Sequence, residues 1–123
     1  MLLYQVLAIL ATHFVGDFVL QTHWMAQNKS RDNEALLVHV LVYTICLCFG
    51  AAGAFLLTGN HLAVMAWIGL NFALHFATDW VTSRWTSKLW AAQRWHDFFV
   101  AVGLDQLIHY VTLLLTARLL NLF

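Results

Sequence analysis

Histidine and aspartate occur four residues apart at three places in otherwise apolar sequence. The pairs are His13 with Asp17, His75 with Asp79, and Asp105 with His109. On an α-helix, a spacing of four places both side chains on one face. Ionisable residues inside apolar helices are costly and mark functional sites by default, so these pairs are the first candidates for chemistry.

Imidazole nitrogen and carboxylate oxygen together form a ligand set for a divalent transition metal. Calcium and magnesium prefer shells of oxygen, whereas zinc, manganese and iron accept both atom types, and zinc is the metal we expect. A further histidine near the start of the second apolar stretch lies at a similar depth. The predicted metal ligands are His13, Asp17, His39, His75, Asp79, Asp105 and His109. These seven residues are enough for one metal, with some of them binding it and the others orienting those ligands, or for two metals.

Two other roles for these residues stay open, namely a structural hydrogen-bonded network and a path for protons or ions. One His-Asp pair alone would be weak evidence for a metal, because it can be a local hydrogen bond. Three pairs favour the metal site, since isolated carboxylates at that depth would otherwise have to neutralise or find partners.

The elements that must hold these residues follow from composition. The chain has 123 residues, of which 62% are hydrophobic and 10% charged, too few charges to cover a soluble domain. A membrane-crossing helix needs roughly 20 mostly apolar residues. Four such windows, at about 2–22, 34–58, 61–83 and 98–121, predict an all-α membrane protein with four transmembrane helices arranged as two hairpins. Residues 1–123 are predicted to form a single integral membrane domain.

Charge distribution predicts the orientation of the chain. The basic residues of the first and third loops are Lys29, Arg31, Arg84, Lys88 and Arg94, and the second loop has none. By the positive-inside tendency, the first and third loops face the cytoplasm and both termini lie outside. In each pair the aspartate is then nearer the cytoplasm and the histidine about one turn deeper, some 6 Å. The net charge is zero and no basic block appears, which argues against nucleic-acid binding.

A short repeat relates the first and third helices. The sequence ATHFVGDFV at 11–19 returns as ALHFATDWV at 73–81, an offset of 62 residues. The repeat predicts two hairpins of the same orientation, and duplication and coincidence both remain open as its origin.

Three strings also carry a resemblance to known sequences. HFVGDFVLQTHWMAQNK at 13–29, HFATDW at 75–80 and LDQLIHY at 104–110 resemble a bacterial and phage family of small membrane proteins of unknown function, over nearly the whole chain. More distantly, the His-x-x-x-Asp pairs are similar to inner-membrane proteins described as membrane-bound metal-dependent hydrolases, although their glycine-rich, Pro-Asp-containing motif has no counterpart here. The resemblance implies a multi-pass protein of the bacterial inner membrane that hydrolyses a membrane-associated substrate.

These observations predict a metal-dependent hydrolase. A metal near the cytoplasmic leaflet would lower the pKa of a bound water for attack on a phosphoester, ester or amide. The predicted partners are membrane lipids, a lipid-linked substrate and further copies of the chain in a homo-oligomer. The alternatives are a proton or metal-ion transport element and a non-catalytic phage or host membrane interaction protein.

Overall fold

Helices account for the architecture of the described chain. The computed structural model describes residues 3–122, and within them all side chains except those of residues 53–58. Positions 1, 2 and 123 of the predicted domain lie outside the described residues. The elements are α1 (Leu3–Phe14), a π-helical segment (Val15–Val19), α2 (His23–Asn28), α3 (Asn33–Thr58), α4 (His61–Ala91) and α5 (Trp95–Leu119).

The long helices form a closed ring. The stretch made of α1 and the π-helical segment packs on α3, α3 packs on α4, α4 packs on α5, and α5 returns to α1. Only Gly59 and Asn60 separate α3 from α4, and Gly59 adopts a φ of 63°, which a residue without Cβ does at no steric cost. The connection lies between the second and third predicted spans, and α3 and α4 form a helical hairpin.

Three helices are long and apolar enough to cross a membrane. They are Asn33–Ala52 within α3, the whole of α4 and the whole of α5, while Leu3–Val19 is apolar but shorter. Large apolar side chains point outward: Phe49, Leu62 and Leu119 are 78%, 82% and 77% exposed. A soluble monomer rarely exposes extended apolar surface, so this exterior fits a lipid environment.

Helix boundaries differ from the predicted spans at the end that carries the basic loops. The α4 helix continues to Ala91 instead of ending near residue 83, which makes it about 46 Å long. Neither proline nor glycine interrupts residues 84–91, and the chain turns only at Gln93, with a φ of 55°. The first loop contains a helix of its own, α2, whose first turn is capped by the Thr22 hydroxyl accepting from the Met25 N–H.

The bundle interior has a mainly apolar part, which also holds the hydrogen-bonded Asn71 and Thr116, and a part rich in histidine and aspartate. Ile9, Leu47, Val64, Trp67 and Leu113 belong to one buried apolar cluster. The buried histidines and aspartates lie next to it, toward the α4–α5 turn and α2. The fold therefore brings polar side chains from four helical stretches together at one level.

Candidate metal centre

A π-helical turn carries the first aspartate. The Leu20 N–H donates to the Val15 carbonyl at 2.9 Å, a bond that spans five residues instead of four. Such turns occur frequently at functional sites. Asp17 lies in this turn, and a Cβ on the preceding Gly16 would lie 3.1 Å from Tyr43 Cδ2 and 3.2 Å from Cys46 Cβ. Glycine therefore allows the segment that carries Asp17 to approach α3 closely.

Four buried side chains converge on one point. His39 of α3, His75 and Asp79 of α4, and Asp17 each offer one ligand atom, and these atoms lie within 4.8 Å of one another. His39 Nε2 lies 3.3 Å from His75 Nε2, 3.1 Å from Asp17 Oδ1 and 3.2 Å from Asp79 Oδ2. His75 Nε2 lies 3.4 Å from Asp17 Oδ1 and 3.7 Å from Asp79 Oδ2.

These separations match the edges of a metal coordination tetrahedron. With zinc–ligand bonds of about 2.0–2.1 Å, neighbouring ligand atoms in a tetrahedron are about 3.3 Å apart. Five of the six edges of such a tetrahedron are present, at 3.1–3.7 Å. The buried cluster of Asp17, His39, His75 and Asp79 can thus hold a metal ion.

Each of the two carboxylates also has a second oxygen, and these second oxygens accept hydrogen bonds from two further side chains, one of which is held by a third. His109 Nε2 donates to Asp79 Oδ1 at 3.0 Å, and Gln106 Nε2 donates to Asp17 Oδ2 at 2.8 Å. His13 Nε2 in turn donates to Gln106 Oε1 at 3.0 Å. Hydrogen bonds of this kind orient metal ligands and tune their basicity.

Asp105 lies beside the four-ligand cluster. Its Oδ1 accepts from the Thr82 hydroxyl at 2.6 Å and lies 3.4 Å from His109 Nε2, and its Oδ2 accepts from Gln106 at 3.0 Å. Asp17, Asp105 and His109 also form a group that can hold a metal ion. All seven predicted ligands therefore belong to one network, with four in one candidate metal-binding group and Asp17 shared with a second candidate group.

Ring stacking holds the His75 imidazole in place. The ring centroid of His75 lies 3.9 Å from that of Tyr43 and 4.2 Å from that of His109, with interplanar angles of 20° and 22°. The Nδ1 atoms of His39 and His75 are buried and have no hydrogen-bond partner among the described residues. Both rings consequently present Nε2 as the atom that faces the ligand cluster.

Lys29 is part of the centre, which the sequence did not indicate beyond its position in a basic loop. Its Nζ donates to Asp79 Oδ2 at 2.7 Å and lies 3.5 Å from His39 Nε2. Burial opposes the charge, but the carboxylates of Asp79 and Asp17 outweigh it and hold the pKa of Lys29 above its ordinary value. The side chain, 18% exposed, is therefore a charged ammonium next to the candidate metal position.

A cavity of about 580 Å³ opens from the carboxylates of Asp17 and Asp79 toward the first loop. Lys29 and Arg31 line it. Arg84 instead donates to Asn33 and lies over the Trp80 ring, and Arg94 pairs with Asp97. Of the basic residues predicted to face the cytoplasm, Lys29 and Arg31 are thus the ones next to the centre.

Comparison with known proteins places the chain in a family. No curated protein and no solved structure matches it. A family described as "Protein of unknown function (DUF3307)" matches residues 5–122, a range that contains all seven candidate ligands. The chain belongs to this family, the proteins of unknown function DUF3307.

Proposed function

We propose that the chain is a membrane-embedded metal-binding protein that acts as a zinc-dependent hydrolase on a lipid-linked substrate at the cytoplasmic leaflet. The observation that carries this proposal is the convergence of two imidazole nitrogens and two carboxylate oxygens at 3.1–3.7 Å inside an apolar bundle. Mixed nitrogen and oxygen ligands at these separations suit zinc.

The charge of the centre supports a bound cation. Asp17, Asp79 and Asp105 supply three carboxylates, and Lys29 supplies one partly buried ammonium. Buried charges are costly unless they are paired. One divalent cation would make the whole group neutral with the histidines uncharged, so metal binding removes the electrostatic cost of the cluster.

Hydrolysis requires a position for water on the metal. Catalytic zinc sites keep three protein ligands and leave the fourth corner open, and a bound water there reaches a pKa of about 7. His39, His75 and Asp17 form a nearly equilateral triangle with sides of 3.1, 3.3 and 3.4 Å. Asp79, already held by Lys29 and His109, is the ligand that we expect to exchange with water and to accept its proton.

The cavity supports a site that is open on one side. It leads from the centre toward Lys29 and Arg31, whereas the apolar cluster around Trp67 and Leu113 lies behind the buried histidines. A pathway for protons or metal ions needs polar groups or water across the whole membrane. The apolar cluster therefore favours the hydrolase over the transport element.

Element analysis tests the metal centre. The protein, purified in detergent without chelator and supplied with zinc, is compared with Asp17→Asn and with the matched control Asp97→Asn, whose carboxylate pairs with Arg94 at the surface. We expect stoichiometric metal in wild type and control and little in Asp17→Asn. Wild-type protein that retains no metal would refute the proposed function.

A further inference from the structure

We propose, building on the hydrolase function above, that the cavity beside the metal centre binds a phosphate group carried on an apolar anchor. The substrate class would then be a phosphorylated lipid. Four features of the cavity support this assignment: its carboxylate floor, a row of hydroxyls on α4, its cations, and the apolar side chains in its lining.

The floor of the cavity admits an anion only when metal is present. Asp17, Asp79 and Asp105 all line it, so the metal-free floor would repel phosphate. A divalent cation together with Lys29 offsets these three charges. The ammonium of Lys29 at the edge of the metal position then attracts phosphate oxygens, a common role for lysine.

A row of hydroxyls on α4 forms one wall. Thr82, Ser83, Thr86 and Ser87 line the cavity and lie on one helix face. The Thr82 and Thr86 hydroxyls already donate to Asp105 and to backbone carbonyls of α4. Ser83 Oγ is buried without a hydrogen-bond partner among the described residues, in a residue only 8% exposed. A buried hydroxyl without a partner indicates that a polar group is to be received there.

The cations select phosphate over an uncharged ester or amide. Lys29 lies at the floor and Arg31 at the exposed end of the same cavity. A neutral carbonyl group would leave Arg31 without an anionic partner, whereas a phosphate presents several charged oxygens to metal, ammonium and guanidinium.

Apolar side chains also line the cavity and fit the anchor. They include Phe18, Trp90, Phe98 and Val102, and the rings of Trp90 and Phe98 pack edge to face at 5.0 Å. Phe18 and Trp90 are also exposed on the outside of the bundle. An acyl or prenyl chain can therefore continue from the cavity along these residues into the surrounding lipid.

The reaction needs only water as a second reactant. The oxygen of water bonds to phosphorus, and the bond between phosphorus and the ester oxygen breaks. One water proton passes to Asp79 and then to the departing alkoxide. The products are inorganic phosphate and the lipid alcohol.

A binding experiment tests this inference independently of turnover. Zinc-loaded protein in detergent is titrated with three probes, followed by native mass spectrometry: short-chain phosphatidic acid, diacylglycerol with the same chains, and inorganic phosphate. We expect phosphatidic acid to bind at least about ten-fold tighter than diacylglycerol, the ratio typical of hydrogen bonds to a charged group. If phosphatidic acid binds more tightly than inorganic phosphate, the phosphate group that the cavity binds belongs to a lipid. If the two bind equally tightly, the ligand is free phosphate. Equal binding of phosphatidic acid and diacylglycerol would overturn the proposal.

Variants locate the binding to this cavity. Ser83→Ala should weaken phosphatidic acid binding roughly ten-fold through the lost hydrogen bond. Arg31→Gln should weaken it less and chiefly at low salt, since its guanidinium is exposed. Arg84→Gln is the matched control, because Arg84 is held on Trp80 and Asn33 away from the cavity.

The metal content of every sample separates the two proposals. Loss of metal from wild type would refute the metal centre itself. Retained metal with phosphatidic acid binding that none of the cavity variants changes would refute the phosphate site alone.

Discussion

Each charged side chain of the centre depends on its neighbours for a partner. Asp17 contacts His39, His75 and Gln106, and Asp79 contacts His39, His109 and Lys29. Within the low dielectric of a helical bundle these pairs are strong, and a group left unpaired is costly. Single substitutions can therefore distinguish residues that bind the metal from residues that orient its ligands.

Asparagine substitutions should separate two classes of aspartate. Asp17→Asn and Asp79→Asn should lower zinc affinity by more than about 100-fold, whereas Asp105→Asn should lower it roughly 10- to 100-fold, as for residues that orient ligands. Asp105 is expected in the second class because it contacts Thr82, Gln106 and His109 around the four-ligand cluster. Competition with a chromophoric chelator measures the affinities. Equal losses in all three variants would instead indicate that Asp105 binds a metal directly.

Removing the Lys29 charge should strengthen metal binding. Two unit charges about 4 Å apart repel by roughly 4 kcal/mol at an effective dielectric of 20, so Lys29→Met should tighten zinc binding at least about ten-fold. The metal-free variant should be less stable than wild type because Asp79 loses its ion pair. Lys29→Arg keeps the charge and is the control. Unchanged affinity in Lys29→Met, measured by the same chelator competition, would place the metal away from Lys29.

At the residue level, spacing in the sequence selected side chains that the structure brings together, and their role as metal ligands stays a prediction. The four-residue pairs and the common depth of His39 selected seven side chains that the structure connects in one network. Lys29 has no such periodic signal, because it reaches Asp79 across 50 positions of sequence. Gln106 was recognisable only as a neighbour of Asp105, and its contacts with His13 and Asp17 depend on how α5 packs against α1.

At the level of elements, a change of helix type positions the centre. The π-helical turn at Val15–Val19 interrupts the apolar helix next to Asp17. Apolar periodicity gives no signal for such a turn, so the sequence predicted one continuous helix through the segment. The third predicted span ended at residue 83 because Arg84 and Lys88 end the apolar window there, whereas the α4 helix itself continues to Ala91.

The glycine before Asp17 provides a test of this packing. In Gly16→Ala the added methyl group would crowd Tyr43 and Cys46 and push the π-helical segment away from α3. Zinc affinity should fall roughly ten-fold, as when ligand orientation is disturbed. Gly103→Ala on α5 is the control, because a Cβ there meets no atom within 4 Å. Competition with a chelator measures the zinc affinity of both variants. Equal zinc affinity in Gly16→Ala and wild type would show that the close approach of the π-helical segment to α3 is not required.

At the scale of the whole molecule, the centre joins all parts of the helical ring. Its ligands come from the π-helical segment, α3 and α4, and α5 contributes His109, Gln106 and Asp105. At this level the sequence predicted four membrane-crossing helices from its apolar windows, and three helices of the described chain are long and apolar enough to cross a membrane. The order of helices around the ring could not be predicted, since apolar exteriors on every helix leave the choice of neighbours to side-chain packing.

The basic loops should face the cytoplasm. In a background without Cys46 and Cys48, Lys88→Cys should react with a membrane-impermeant maleimide only after cells are opened, by the positive-inside tendency. His61→Cys, at the α3–α4 turn on the other side, should react in intact cells. The reverse pattern would place the metal centre at the outer leaflet and leave its geometry unchanged.

Removal of metal should loosen the bundle, because the proposed metal would link the π-helical segment, α3 and α4 through Asp17, His39, His75 and Asp79. A ligand that binds only the folded protein stabilises it by about 2.7 kcal/mol at a free concentration 100 times its Kd. A chelator should therefore lower the thermal unfolding temperature of wild-type protein in detergent by several degrees, and added zinc should restore it. Asp17→Asn should respond little, since it has lost the metal already. Asp97→Asn should respond like wild type because its carboxylate lies at the surface with Arg94.

In a metal-free hydrogen-bond network, by contrast, Asp17→Asn removes a buried ionisable group and can leave stability unchanged or increased. The same chelator response in wild type and Asp17→Asn would thus exclude a metal as the link between the helices.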